Sequence, residues 1–481
     1  MGNNPPTDPE ATPQAEPMVL DYNFGSEPLV LDPAFAINHT SVELLDQLFE
    51  GLTTFDRVTA EPVAALALEW DVSEDGLTYT FKMRENALWV NQAGEPHGAV
   101  TAEDVAYAIK RACNPATATP LKQALFVIKG CQEVNLTEGI PDLDSIGVRA
   151  VGRFTVEFTL AQPAAYLPAV LALPVARPVP REIVEQLGPG WSEPASLLTS
   201  GPYRLTSWIP DASLTLDKNT LYYNASAVQI VHVNGTLLAD EAALELYRAN
   251  RLDTARVPPT DVPAVLTDAS LAEEVTRVAE PCTVAYGFTA IKPPVDNDRI
   301  RRALSYAIDR PWLAGHVLHE GQIPARHFAP PDVVGAPGSD TNGIDGNVAA
   351  AQQLLAEAGY PDGQGFPGIT LAHPEGEEYA SVAAAISEMW RSTLNIAVAV
   401  QAQADKVYRE TIESTTPLDE APHVWLLGWC APFPDEHAWV ADVFGLESVT
   451  EGRRTSYTLY GERVTVQPGA NHVRRAPGPL D

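Results

Sequence analysis

The chain has 481 residues, which at about 150 residues per domain suggests three domains or lobes. Its 45% apolar and 20% charged residues allow a sizeable core and exclude disorder for the bulk of the chain. Lys and Arg total 31 against 63 Asp and Glu, a formal net charge of −32 that repels phosphate backbones and argues against nucleic-acid partners.

Residues 1–17 hold five prolines and little apolar mass, which reads as an extended linker. The segment Met1–Asn4 has neither the basic nor the apolar region of a secretory leader. No apolar run reaches the ~20 residues of a membrane span. The chain is then either cytosolic or written without its targeting segment.

Order is expected from Met18, where MVLDYNF alternates as a short strand. Ser41–Leu52 repeats apolar residues at helical spacing, with Ser41 as N-cap and Gly51 as stop. Residues 76–84 and 153–160 alternate as half-buried strands, and Thr101–Arg111 opens with the capping pair Thr101 and Asp104. Five prolines between Pro163 and Pro180 predict a crossing segment with turns and no helix. Gly201–Leu216 reads as two strands around a Pro-Asp turn. Helices are expected over 240–252, 298–319, 348–358 and 382–394, and strands over 369–373, 396–401 and 423–429. This alternation predicts an α/β (mixed α+β) fold.

The usual catalytic motifs are missing: there is no G-x-S-x-G, P-loop, G-x-G-x-x-G, HExxH or EF-hand loop. His316, His319 and His327 with Glu320 are the nearest metal candidates, but their helix is apolar and surface or half-buried histidines are the better reading. Asp71, Glu74, Asp75, Glu375, Glu377 and Glu378 sit beside turn residues and read as solvated loop charges. The sequons at Asn38, Asn135, Asn224 and Asn234 are expected by chance. Cys113, Cys131, Cys282 and Cys430 form no CxxC pair, and their even number fits two disulfides or four buried thiols equally. The apolar run VWLLGW ends at Trp429 and enters an irregular loop through Pro432 and Pro434. Strand ends of this kind border ligand clefts, and Trp429 reads either as a stacking wall or as core.

Several segments in a fixed order carry a family likeness: 25–35, 48–56, 66–111, 200–223, 297–310 and 350–371. In these the chain resembles the bacterial extracellular solute-binding proteins of ABC importers, in the oligopeptide, dipeptide and nickel group. The resemblance implies two α/β lobes joined by a hinge that close on a ligand, with an inserted subdomain. Lobe I would hold 18–50 and 196–281, the inserted subdomain 51–195, and lobe II 282–445. It implies no catalysis and no cofactor. The partners implied are a peptide or other small polar solute and the permease subunits. The protein is expected to act as a monomer outside the cytoplasmic membrane, tethered by a lipid anchor if one is present. In peptide-binding members the ligand lies extended and is held by main-chain hydrogen bonds.

The resemblance also implies a Cys282–Cys430 disulfide, and Cys113 and Cys131, with 17 residues between them, make a natural second pair. Glu27, Asp405, Tyr408, Trp429, Ala431, Phe433 and Asp435 are the candidate ligand-binding residues. Each has a plainer reading, as a turn, packing or helix-start residue. The chain departs from the family twice. Pro432 stands where peptide-binding relatives often carry an Asp that pairs with the ligand's amino group, and Asp435 substitutes only if the loop turns back. The segment 446–481 is rich in arginine, lacks core periodicity and reads as a truncated or frame-shifted tail. The alternatives to peptide capture are an oligosaccharide or other non-peptide solute, a non-functional relative, and a hydrolase.

Overall fold

The computed structural model describes residues 17–278, 280–318, 321–331, 333–338, 343–412 and 416–444. The segment 446–481, the linker up to residue 16, His319 and Glu320 fall outside the described residues. The chain divides into two units, Met1–Glu273 and Glu274–Asp481.

In the first unit, the strand Met18–Asn23 pairs in parallel with Ile230–Thr236, which continues antiparallel through Ser213–Lys218 to Tyr203–Ile209. The turn at Asp211 has φ +57°, a left-handed position that an Asp tolerates. A second sheet is wholly antiparallel, in the order Ala67–Val72, Thr78–Met83, Thr155–Thr159, Val148–Gly152. The first sheet is built from residues of the expected lobe I, and the second lies within 51–195.

The helix Ala102–Cys113 starts at the capping pair read from sequence: the Asp104 carboxylate accepts from the Thr101 amide and hydroxyl, each at 2.9 Å. The helix His39–Leu48 begins and ends earlier than expected. Gly51 is not its stop. A Cβ there would lie 2.6 Å from the Thr53 carbonyl, so the glycine permits a close backbone approach. A short helix, Leu167–Val170, forms within the proline-rich stretch because Pro168 occupies its first turn, where no amide hydrogen bond is lost. Asp32, 4% exposed, is a buried carboxylate of this unit. It accepts from Arg111 at 3.0 and 2.5 Å, from Trp191 Nε1 at 3.1 Å and from the Ala34 amide at 3.1 Å.

The second unit carries a mixed sheet in the order Cys282–Phe288, Val424–Cys430, Ile369–Pro374, Val398–Gln403. The first pair is antiparallel and the other two are parallel. Helices Asp298–Tyr306, Val348–Glu357 and Glu377–Leu394 cover it through a core that includes Ile300, Leu304, Leu355, Leu371, Ile386 and Trp390. The helix expected over 298–319 is interrupted after Tyr306, because Pro311 requires a fresh start, capped by Asp309. Glu377 and Glu378 are the first residues of a helix and not loop charges; they sit where its dipole favours negative charge.

Candidate functional site

The strand Val424–Cys430 is the centre of the candidate site. Three observations fix which way its backbone groups point. The Thr289 amide donates to the His423 carbonyl, so odd-numbered residues face the neighbouring strand Cys282–Phe288. The Leu426 carbonyl accepts from the Tyr408 hydroxyl, so even-numbered residues face the opposite side. Cys282 and Cys430 stand directly opposite with Cα atoms 4.2 Å apart, the close spacing of a pair that exchanges no main-chain bonds.

On that opposite side, the strand Ile369–Pro374 pairs only with Val424 and Trp425. The amides and carbonyls of Gly428 and Cys430 therefore look onto an open edge, with no strand beside them among the described residues. Both residues are exposed, and a Cβ at Gly428 would meet nothing within 4 Å. The residue opposite Gly428 is Val284, whose side chain shares its face and is 66% exposed. The result is a short backbone edge beside an uncovered apolar side chain. Neither residue was a sequence candidate. Gly428 was legible only as the glycine in a run of large apolar residues.

The odd-numbered side chains anchor this strand. Trp425 and Leu427 pack with Val443, and the Trp429 indole N–H donates to the Ala438 carbonyl at 2.9 Å. Trp429 is half-buried and pinned to the helix Glu436–Phe444. On the other face, Leu426, Ala372 and Tyr408 form a small cluster with Tyr286 and Tyr379. Burial pushes the Tyr286 hydroxyl upward, and the Glu378 carboxylate adds to the shift. Burial likewise raises Tyr408.

The remaining sequence candidates take the following places. Tyr408 is 4% exposed with its hydroxyl engaged on Leu426, so it packs beneath the strand. Asp405 opens the helix Asp405–Ile412 and pairs with Arg409 at 2.9 Å, both exposed. Ala431 is half-buried directly after the strand, and Phe433 is 6% exposed. Asp435 caps the next helix, accepting from the His437 amide at 2.9 Å, so its loop does turn, but to start a helix. Glu27 belongs to the first unit, where its two oxygens accept from Trp208 Nε1 at 2.7 Å and from the Asp211 amide at 3.0 Å.

Both disulfides are formed, Cys113–Cys131 and Cys282–Cys430. Of the metal candidates, His316 stacks on Trp312 and its Nδ1 lies 3.2 Å from the Trp312 carbonyl. Among the described residues no three metal-ligating side chains converge, and no helix is long and apolar enough to cross a membrane.

Comparison with known proteins agrees with this architecture. Residues 61–447 match the family of bacterial extracellular solute-binding proteins, family 5. The oligopeptide-binding protein OppA of Bacillus subtilis is 30% identical over 430 residues, covering 86% of this chain and 75% of that protein. The periplasmic oligopeptide-binding protein OppA of Escherichia coli is 30% identical over 433 residues, covering 88% and 77%. A solved structure of the periplasmic murein tripeptide-binding protein MppA, in its unliganded open form, superposes with a TM-score of 0.76 at 28% identity. It covers 90% of this chain and 82% of that one. With this match across most of its length, the chain belongs to the bacterial extracellular solute-binding proteins of family 5, the two-lobed binding proteins that serve ABC importers.

Proposed function

We propose that this protein captures short peptides outside the cytoplasmic membrane and delivers them to the permease of an ABC importer, without chemical turnover. The observation that carries this reading is the open backbone edge at Gly428 and Cys430. An extended peptide can add to such an edge as a strand, bonding through groups common to every sequence, while exposed Val284 offers a side-chain contact. Relatives named for oligopeptide, dipeptide and murein peptide binding support the same ligand class.

Pro432 brings neither a charge nor an amide hydrogen to the loop after the strand. Asp435 supports helix capping. The main chain, and not the ligand's amino group, is therefore the principal handle. Calorimetry with trialanine and N-acetyl-trialanine tests this. The two are expected to bind within about threefold of each other, since losing a desolvated ion pair would cost at least about 2 kcal/mol. A loss of more than about thirtyfold on acetylation would return recognition to the amine.

A further inference from the structure

We propose that the Cys282–Cys430 bond is a thiol-exchange site, and that opening it loosens the strand end that holds the ligand. The second half of this proposal rests on the peptide-binding reading above.

The two disulfides differ in access. Cys113 and Cys131 are each 0% exposed, so no thiolate reaches their sulfurs without unfolding around them. Cys430 is exposed and Cys282 half-buried. The two also differ in what they hold. Cys282 and Cys430 form the last pair of their ladder, after which the chain leaves the sheet through Ala431 and Pro432. Among the described residues, Gly428 and Cys430 have no strand on their other flank. Besides the disulfide, the ladder to Cys282–Phe288, the packing of Trp429 on the Trp425 and Leu427 cluster and its indole bond to Ala438 hold this end.

The chemistry is ordinary exchange with a dithiol. One thiolate of the dithiol attacks Cys430 Sγ, the S–S bond breaks, and its electron pair leaves on Cys282 Sγ, which takes a proton from water. The second thiol of the reagent then attacks the mixed disulfide, closes to the cyclic disulfide and releases Cys430. One protein disulfide is reduced and one dithiol is oxidised. Glu280 bears on the rate. Its Oε2 lies 4.0 Å from Cys282 Sγ, so its negative charge opposes the thiolate that leaves there. Once the bond is open, the last ladder pairs are free to fray. An edge competent for only about a tenth of the time would bind about tenfold more weakly.

The test uses the full chain, dithiothreitol as the dithiol and trialanine as the ligand. Graded dithiothreitol under native conditions, followed by iodoacetamide and peptide mapping, is expected to label Cys282 and Cys430 while Cys113 and Cys131 stay bonded. Glu280→Gln is expected to speed that labelling. Selective opening is expected to weaken trialanine binding about tenfold, with recovery on reoxidation. Simultaneous or reversed opening of the two disulfides would overturn the exchange site. Selective opening with unchanged trialanine affinity would overturn its coupling to binding. An oxidised protein that binds no trialanine would instead overturn the main-chain reading of the ligand site, and the order of labelling would still decide the exchange site.

Discussion

Substituting Gly428 by proline isolates a single donor at the proposed ligand edge. The Gly428 amide faces away from its paired strand, so proline removes no ladder bond. Space is available, because a Cβ at this position meets nothing within 4 Å. Leu427 is already extended within the strand, as a residue before proline prefers. With no ladder bond lost, the cost to folding is that of proline's fixed φ in a strand, which the urea midpoint reads separately from affinity. The ligand carbonyl that met this amide would be left without a partner, at a cost of about 1 to 3 kcal/mol. That is a rise of about 5-fold to 150-fold in Kd. Gly428→Ala keeps the donor and adds a methyl group in open space, so it should bind trialanine within about twofold of the parent. Isothermal calorimetry and urea midpoints measure the two effects separately. A folded Gly428→Pro protein with parental affinity would show that the edge is not used.

Three further outcomes follow from the structure. Asp32→Ala should cost about 3 to 5 kcal/mol in urea unfolding, because Arg111 would keep a largely buried charge without its partner; a loss under ~1 kcal/mol would contradict this. Cys113→Ala with Cys131→Ala opens a bridge of sequence separation 18 and should cost about 3 kcal/mol in the loop-entropy model, read as a fall in the urea midpoint. Burial raises Glu50 above the ordinary carboxylate range, although the Tyr222 and Tyr223 hydroxyls, at 2.5 and 3.3 Å, and the Arg177 charge oppose the shift. From the unfolded carboxylate pKa up to the raised folded one, the folded state keeps a proton that the unfolded state has released. Glu50 therefore subtracts stability as pH rises through that window. Glu50→Gln removes this contribution, and urea midpoints of parent and variant across roughly pH 4 to pH 7 should show a shallower decline for the variant; parallel curves would contradict it.

Local signals were the legible part of this fold. The pair Thr101 and Asp104 marked a helix start because capping is settled within one turn. The hairpin around Pro210 and Asp211 was legible because the two turn residues interrupt two alternating runs. What could not be read depended on distant chain. Gly51 looked like a helix stop, but its reason is the Thr53 and Leu171 carbonyls packed against it. Tyr408 looked like a cleft residue beside a helix start, and only the sheet register brings its hydroxyl to Leu426.

The site divides in the same way. Its neighbourhood was visible in the strand that ends at Trp429 and in the family likeness. The open edge was not, because it exists only where the strand Ile369–Pro374 stops pairing. The proposed handle is made of backbone, which a reading of side chains does not bring out. Asp435 and Glu27 drew attention by their charge, yet a helix start and a hairpin turn account for the bonds they make.

The central claim, peptide capture through main-chain groups, is tested most directly by native mass spectrometry of gently purified protein, followed by release and identification of whatever it carries. A mixed population of short peptides with varied side chains is the predicted result, since a backbone edge selects for extended main chain and not for sequence. A single non-peptide solute bound by the folded protein would contradict the account.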